Sequence, residues 1–250
     1  MRLEEFASKL RSSRKIVFFT GAGISTESGV PDFRSPGGVW TKYQPVYFQD
    51  FVASEAARIQ HWRLKKATYE LYKTVQPNIG HYAIRDFETR AQLLGLITQN
   101  IDGLHSIAGV SAGRIIELHG TDRLVTCLSC QKSFEPATIY EHLGEEFSAP
   151  TCEVCGGLLK SANVSFGQQM PVEAMKRAQA WSEAADIFIV IGSSLQVQPA
   201  ATFPVIAKRS GALLAIINRD ETPLDDLADF IHRGAIGDFF AQLAPLLMDD

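Results

Sequence analysis

The chain has 250 residues, 46% hydrophobic and 21% charged, values close to the globular average that exclude a disordered, collagen-like or coiled-coil protein. Its 24 basic and 28 acidic residues give a formal charge of −4, which argues against wholesale coating of nucleic acid or an anionic membrane. No apolar run approaches the roughly 20 residues needed to cross a bilayer, and the acids of Met1-Arg2-Leu3-Glu4-Glu5 interrupt any secretory signal, so a soluble cytoplasmic monomer is expected.

In chain order the pattern predicts a helix over 3–12, a strand over 15–19, helices over 54–74 and 81–91, and strands over 93–98 and 114–118. A helix over 172–184, a strand over 187–191, a helix over 199–208, strands over 213–217 and 230–232, and a helix over 238–247 follow. The strands are nearly continuous runs of Ile, Val, Leu and Phe, as parallel strands covered on both faces are. Their alternation with helices predicts a doubly wound α/β sheet. Two stretches do not fit that alternation. Residues 38–78 are helical and aromatic without a strand, and 122–160 carry all the cysteines. Both are expected to be insertions that together form a small domain, leaving 1–37, 79–121 and 161–250 as the large one.

The four cysteines form two Cys-x-x-Cys pairs, Cys127/Cys130 and Cys152/Cys155, separated by residues 131–151. That spacing is close to that of a four-thiolate zinc site. Disulfides or a pair of redox motifs are the alternatives; disulfides fit poorly with a chain lacking an export signal. Four sulfur ligands close the coordination shell, so such a zinc folds a module and does no chemistry.

Ligands of open α/β sheets bind beyond the carboxyl ends of the strands. After the first strand stands Thr20-Gly21-Ala22-Gly23-Ile24-Ser25, whose small residues let backbone N–H groups approach a pyrophosphate; a tight turn is the plainer reading. Thr26 replaces the third glycine of a dinucleotide fingerprint, and no acid stands about twenty residues on, which disfavours an ordinary dehydrogenase. The loop Val30-Pro31-Asp32-Phe33-Arg34-Ser35-Pro36-Gly37-Gly38 has the composition to fold over a ligand, with Arg34 on a phosphate and Phe33 excluding water, or to be a surface turn. Thr98-Gln99-Asn100-Ile101-Asp102 ends the next strand with polar groups that are costly there unless something needs their hydrogen bonds; helix capping by Asn100 or Asp102 is the alternative. His119, in Glu117-Leu118-His119-Gly120, lies at another such strand end.

Together these segments resemble the sirtuin family of NAD-dependent protein-lysine deacylases. The resemblance runs through Gly21-Ala22-Gly23-Ile24-Ser25, Pro31-Asp32-Phe33-Arg34, Gln99-Asn100-Ile101-Asp102 and His119-Gly120. It continues through the paired cysteines, Phe166-Gly167, Gly192-Ser193-Ser194-Leu195 and Ile217-Asn218-Arg219-Asp220. It implies a Rossmann-like sheet domain and a smaller domain of zinc ribbon and helical insert, with NAD and an acyl-lysine peptide meeting between them. It implies further that His119 is a general base on a ribose hydroxyl and that Asp102, with the Ile101 backbone, holds the nicotinamide amide. Asn100 and Gln99 would place ribose hydroxyls, and Phe33 would shield the reacting face. Gly21, Ala22, Gly23, Arg34, Gly192, Ser193 and Ser194 would cradle the pyrophosphate. Asn218, Arg219 and Asp220 would lie at the adenosine ribose and Ile236 near adenine. The expected products are free lysine, nicotinamide and acetylated ADP-ribose.

The chain departs from the family at Lys160-Ser161-Ala162-Asn163-Val164-Ser165-Phe166-Gly167-Gln168, where Arg-Pro and two β-branched residues are usual before Phe-Gly-Glu. The peptide is expected to add a strand along this segment, with Val164, Phe166 and Gly167 at the acyl group. His61 to Tyr69 holds no Tyr-x-x-Arg, the pair that serves acidic acyl groups in related enzymes, so acetyl or longer uncharged acyls are expected. A protein ADP-ribosyltransferase using the same NAD site, and a non-catalytic zinc-ribbon binding module, are the rival readings.

Overall fold

The computed structural model describes residues 1–32, 38 and 44–248. Six strands form a parallel sheet: β1 (Ile16–Thr20), β2 (Leu93–Thr98), β3 (Ile115–Glu117), β7 (Ile187–Ile191), β8 (Leu213–Ile217) and β9 (Phe230–His232), in the order β3-β2-β1-β7-β8-β9. Alternate residues of each strand go to opposite faces. Ile16 and Phe18 of β1 join one apolar layer with α1 (Leu3–Ser12), α4 (Ile79–Thr89) and α9 (Ile236–Leu246). Val17 and Phe19 join the other, with α7 (Val172–Ala184) and α8 (Thr202–Arg209). Cover on both faces is why these strands read as unbroken apolar runs.

The chain leaves β1 for β2 on one side and pairs it with β7 on the other. The strand order therefore reverses beside β1, where a crevice opens outside the carboxyl ends of such sheets.

A second, antiparallel sheet has the order β5-β4-β6, from β4 (Gly120–Cys127), β5 (Ser133–Phe134) and β6 (Leu159–Asn163). Its apolar side packs on the helices of the other unusual stretch. Trp62, from α3 (Glu55–Tyr72), meets Val125, Cys127, Leu159 and Tyr140 of α6 (Pro136–Tyr140) in one buried cluster. Two further short helices are α2 (Phe48–Ala53) and α5 (Leu104–Ile107). β4 leaves the large sheet's edge at Gly120, whose φ is +67° and where an added Cβ would sit 2.2 Å from the Ala162 carbonyl. Only glycine allows that close approach.

Element ends differ from the sequence pattern where a cap decides them. α4 begins at Ile79 because the Asn78 side chain accepts from the Gly80 N–H at 2.9 Å and His81 answers with a bond to the Asn78 N–H. α9 begins at Ile236, before the predicted 238, because the Glu27 carboxylate accepts from the N–H groups of Ile236 and Gly237 at 2.9 and 3.1 Å. A cap supplied from that far along the chain leaves no local signal.

Candidate active site

Beyond the ends of β1, β2, β3 and β7 the polar residues singled out in the sequence come together. Gly21, Ala22 and Gly23 follow β1 into a short 3-10 turn, Ala22–Ser28. The Gly23 N–H donates to the Gly192 carbonyl at 2.8 Å. Added Cβ atoms at Gly21 and Gly23 would stand 2.6 and 2.7 Å from the Gly192 backbone, and Gly192 itself has a φ of +60°. The three glycines thus let the β1 and β7 loops close on each other. The run is a tight turn at the carboxyl end of β1.

The β7 loop joins the β2 end through a side chain. Gln99 donates its amide to the Ser193 hydroxyl at 2.9 Å, and Ser193 Oγ also accepts from the Leu195 N–H. Ser194 is half-buried beside it. Farther along the edge, the Asn218 amide donates to the Asp220 carbonyl at 2.7 Å, while Arg219 and Asp220 form an exposed ion pair. The Ile236 side chain is buried near Ile24 and Gly80. Phe33 and Arg34 lie outside the described residues.

Asn100 and Asp102 are buried. Asp102 Oδ1 accepts from the Leu104 N–H at 2.9 Å, so Asp102 does cap the following turn. Its other oxygen accepts from the Ser25 hydroxyl at 2.7 Å, and Ser25 Oγ accepts from the Asn100 amide at 3.2 Å. His81 stands behind, its Nε2 3.4 Å from Ser25 Oγ. Its Nδ1 faces Asn78, 3.2 Å from the backbone N–H and 3.0 Å from Oδ1. A parallel chain runs from His105 Nε2 to Thr20 Oγ1 at 3.0 Å and on to Thr98 Oγ1 at 2.8 Å, leaving His105 Nδ1 buried without a partner. Burial holds His105 neutral, well below the usual imidazole range, and brings His81 to about 4. Burial also raises the Asp102 carboxyl, with the Leu104 and Ser25 bonds pulling against it. Glu117 lines a small cavity with Thr98, Asn100, Asp102 and His105, and burial, then the charge of Asp102, pushes its pKa up to about 7.

His119 follows β3. Its Nδ1 lies 3.0 Å from the Gln99 carbonyl oxygen. That oxygen only accepts, so Nδ1 carries the proton and the Nε2 lone pair is the basic one. Burial lowers the imidazole pKa, with the Gln99 bond opposing. The His119 carbonyl accepts from the Val164 N–H at 2.8 Å, which seats the segment after β6 directly beside the imidazole. Val164 is half-buried and Phe166 exposed, its ring 5.9 Å from that of Tyr47. Gly167 has a φ of +79°.

Sequence reasoning missed Ser25 as the hub of Asn100 and Asp102, and missed His81, His105 and Lys160. Asn78-x-x-His81 carried the only local signal, a capping box.

The four cysteine sulfurs, two of them buried, lie within 4.8 Å of one another. Cys127 Sγ is 3.5 Å from Cys155 Sγ and Cys130 Sγ is 3.8 Å from Cys152 Sγ. A tetrahedral zinc with bonds of roughly 2.3 Å sets sulfurs about 3.8 Å apart, whereas a disulfide needs about 2 Å. The donor set fits zinc.

The Sir2 family matches residues 21–199 of the chain. The NAD-dependent protein deacetylase 1 of Bradyrhizobium diazoefficiens is 45% identical over 236 residues, covering 94% of this chain and 92% of that protein. The NAD-dependent protein deacetylase of Rhodopseudomonas palustris is 44% identical over 236 residues, 94% and 93% of the two chains. A solved Sir2 with a deacetylated p53 peptide and 3'-O-acetyl ADP ribose superposes with a TM-score of 0.90 at 35% identity, over 98% of both chains. A Sir2–p53 peptide–NAD+ complex does so at 0.88 and 35%, again over 98% of both. The chain belongs to the Sir2 family, the sirtuins.

Proposed function

We propose that this sirtuin is an NAD-dependent protein-lysine deacetylase that releases nicotinamide and O-acetyl-ADP-ribose. The observation that carries the reading is His119: a neutral imidazole with its proton fixed on Nδ1, and with the segment at Val164 hydrogen-bonded to its own carbonyl. The segment assigned to the peptide is thereby tied to the backbone of the assigned base by one hydrogen bond.

When bound, NAD would supply an electrophilic anomeric carbon for the acyl oxygen, with nicotinamide as the leaving group. Asp102 and the Ile101 backbone are assigned to the nicotinamide amide, with Ser25 holding the Asp102 carboxylate in place. Asn100 and Gln99 are assigned to ribose hydroxyls, and His119 Nε2 to removing a proton from one of them. The loops at Gly21, Ala22, Gly23, Gly192, Ser193 and Ser194 are assigned to the pyrophosphate. Asn218, Arg219 and Asp220 are assigned to the adenosine ribose, with Ile236 beneath the adenine. Arg34 and Phe33 keep the roles read from the sequence, on phosphate and as a water shield. An acyl-lysine peptide adds to the segment 163–168 by backbone pairing, with Val164, Phe166 and Gly167 at the acyl chain. Residues 1–37, 79–121 and 161–250 form the NAD-binding domain in this reading, and 38–78 with 122–160 the small one. Cys127, Cys130, Cys152 and Cys155 hold one zinc, which orders the small sheet. The chain acts as a cytoplasmic monomer, without nucleic acid or membrane. Among the described residues no helix is long and apolar enough to span a bilayer.

Acetyl is the proposed acyl group because the cations nearest to hand are engaged. Lys65 is paired with Asp122 at 2.7 Å, both buried, and Lys66 donates to the Leu143 carbonyl. Lys160, beside Val164, is likewise engaged, by the Asn163 and Ser161 oxygens, so a buried acyl carboxylate would have to draw one of these described lysines away from its present partners.

The deciding experiment incubates the zinc-loaded protein with NAD and an acetyl-lysine peptide. Nicotinamide release that requires the peptide, with loss of the acetyl mass, supports the reading. Gain of an ADP-ribose mass on the peptide would make it a transferase, and absence of any NAD cleavage would leave only a binding module.

A further inference from the structure

The peptide unit that joins Asn163 to Val164 is held at both ends. Its N–H donates to the His119 carbonyl at 2.8 Å. Its carbonyl accepts from the Lys160 ammonium at 2.6 Å. Lys160 is 1% exposed, and its other bonds go to the Asn163 side-chain oxygen at 2.9 Å and the Ser161 carbonyl at 3.2 Å. None of its partners is a carboxylate. The nearby acid, Asp122 of β4, is engaged by Lys65 of α3. His61 of α3 completes the buried surroundings through a 3.1 Å bond to Ser161.

A cation buried without a counter-ion is expensive, and an apolar side chain of the same length would avoid that cost. What Lys160 holds in exchange is one specific carbonyl, through a charge-assisted bond. Such a bond also polarises the peptide unit and strengthens its N–H as a donor to His119.

We infer that Lys160 is a positioning residue for the substrate strand, fixing the 163–164 peptide unit against His119 and so setting the register in which the acyl-lysine reaches the imidazole. The inference rests on the reading that the segment 163–168 pairs with the peptide. The Lys160 ammonium is engaged by Ser161 and Asn163, so it acts through Asn163 and Val164. Burial, then the charge of Lys65, brings its pKa down to about 7, so its charge is lost as pH rises through neutrality. His61 stays neutral over the same range.

Two measurements test this. In Lys160→Met, the KM for an acetyl-lysine peptide should rise about 10- to 100-fold, the worth of one charge-assisted hydrogen bond, while the KM for NAD stays within about threefold. An unchanged peptide KM in the folded variant would overturn the inference, as would equal losses in both KM values, which mark general destabilisation. The second measurement needs no variant. In the native enzyme, with a peptide free of titrating groups, peptide KM should climb from pH 6.5 to 8.5 while NAD KM stays level; a level peptide KM would overturn it. A wild-type enzyme with no peptide-dependent nicotinamide release would instead refute the deacetylase reading, so the two failures are distinct.

Discussion

His119 donates its Nδ1–H to the carbonyl oxygen of Gln99 at 3.0 Å, and this bond decides which nitrogen is the base. Removing the imidazole in His119→Ala should cut deacetylation by about 10²–10⁴-fold, the usual span for a general base. NAD affinity should change little, because the ring is assigned to a single hydroxyl. Burial lowers the imidazole pKa, so the base is neutral at pH 7 and is protonated only on the acid side. The kcat profile should therefore fall below pH 6.5; an inflection above 7 would contradict the assignment.

Asp102 reaches the site held by two donors, Ser25 Oγ at 2.7 Å and the Leu104 N–H at 2.9 Å. Asp102→Asn keeps the shape and exchanges an acceptor oxygen for a donor. Exchange of labelled nicotinamide into NAD should slow by about tenfold or more, as expected for a lost charged hydrogen bond. Unchanged exchange would assign the amide to another group.

Metal analysis should find one zinc per chain. Cys152→Ala should lose the ion and lower Tm and activity together, since metal binding supplies folding free energy to the β4–β6 sheet around it. A metal-free protein with full activity would refute the site.

Acyl choice follows from Lys65 and Lys66 being engaged. On one peptide, kcat/KM should be highest for acetyl or a longer uncharged acyl and lowest for succinyl. Succinyl preference would require Lys65, Lys66 or Lys160 to exchange its present partner for the acyl carboxylate.

Glu117 gives a stability prediction with a defined sign. Its folded pKa is raised to about 7 from 4.5, by burial first and Asp102 second. The folded state therefore binds the proton more tightly than the unfolded one. Stability is retained below pH 4.5 and lost as pH rises toward 7. Glu117→Gln, uncharged throughout, should be more stable than wild type at pH 8 by about 1–3 kcal/mol, allowing for partial exposure. The gap should close below pH 4.5 in thermal melts.

Much of this architecture could be read from local pattern. Unbroken runs such as Ile187–Ile191 are what two-sided cover demands, and the observed strand has those bounds. The cysteine spacing likewise announces a four-thiolate cluster, because each knuckle places its own two sulfurs. The start of α9 was misplaced by two residues because its cap, Glu27, comes from the other end of the chain.

Local pattern carried the large sheet's strands and its covering helices, the paired cysteines and the order of polar strand ends, all of which depend on period and spacing over a few residues. The three strands of the small sheet, interrupted by the cysteine knuckles, did not show. Tertiary structure decided what those ends bind. Ser25 becomes the partner of Asp102 and Asn100 only when β1 and β2 lie side by side. Lys160 reads in the sequence as a departure from a motif. It becomes a buried cation fixing the Asn163 carbonyl only when β6 is laid against β4 and covered by α3. Lys65, a candidate anion anchor by type, is withdrawn from that role by Asp122. Hydrogen bonds and charges are short-ranged, and which groups come within 3 Å of each other is a property of packing that one-dimensional pattern does not carry.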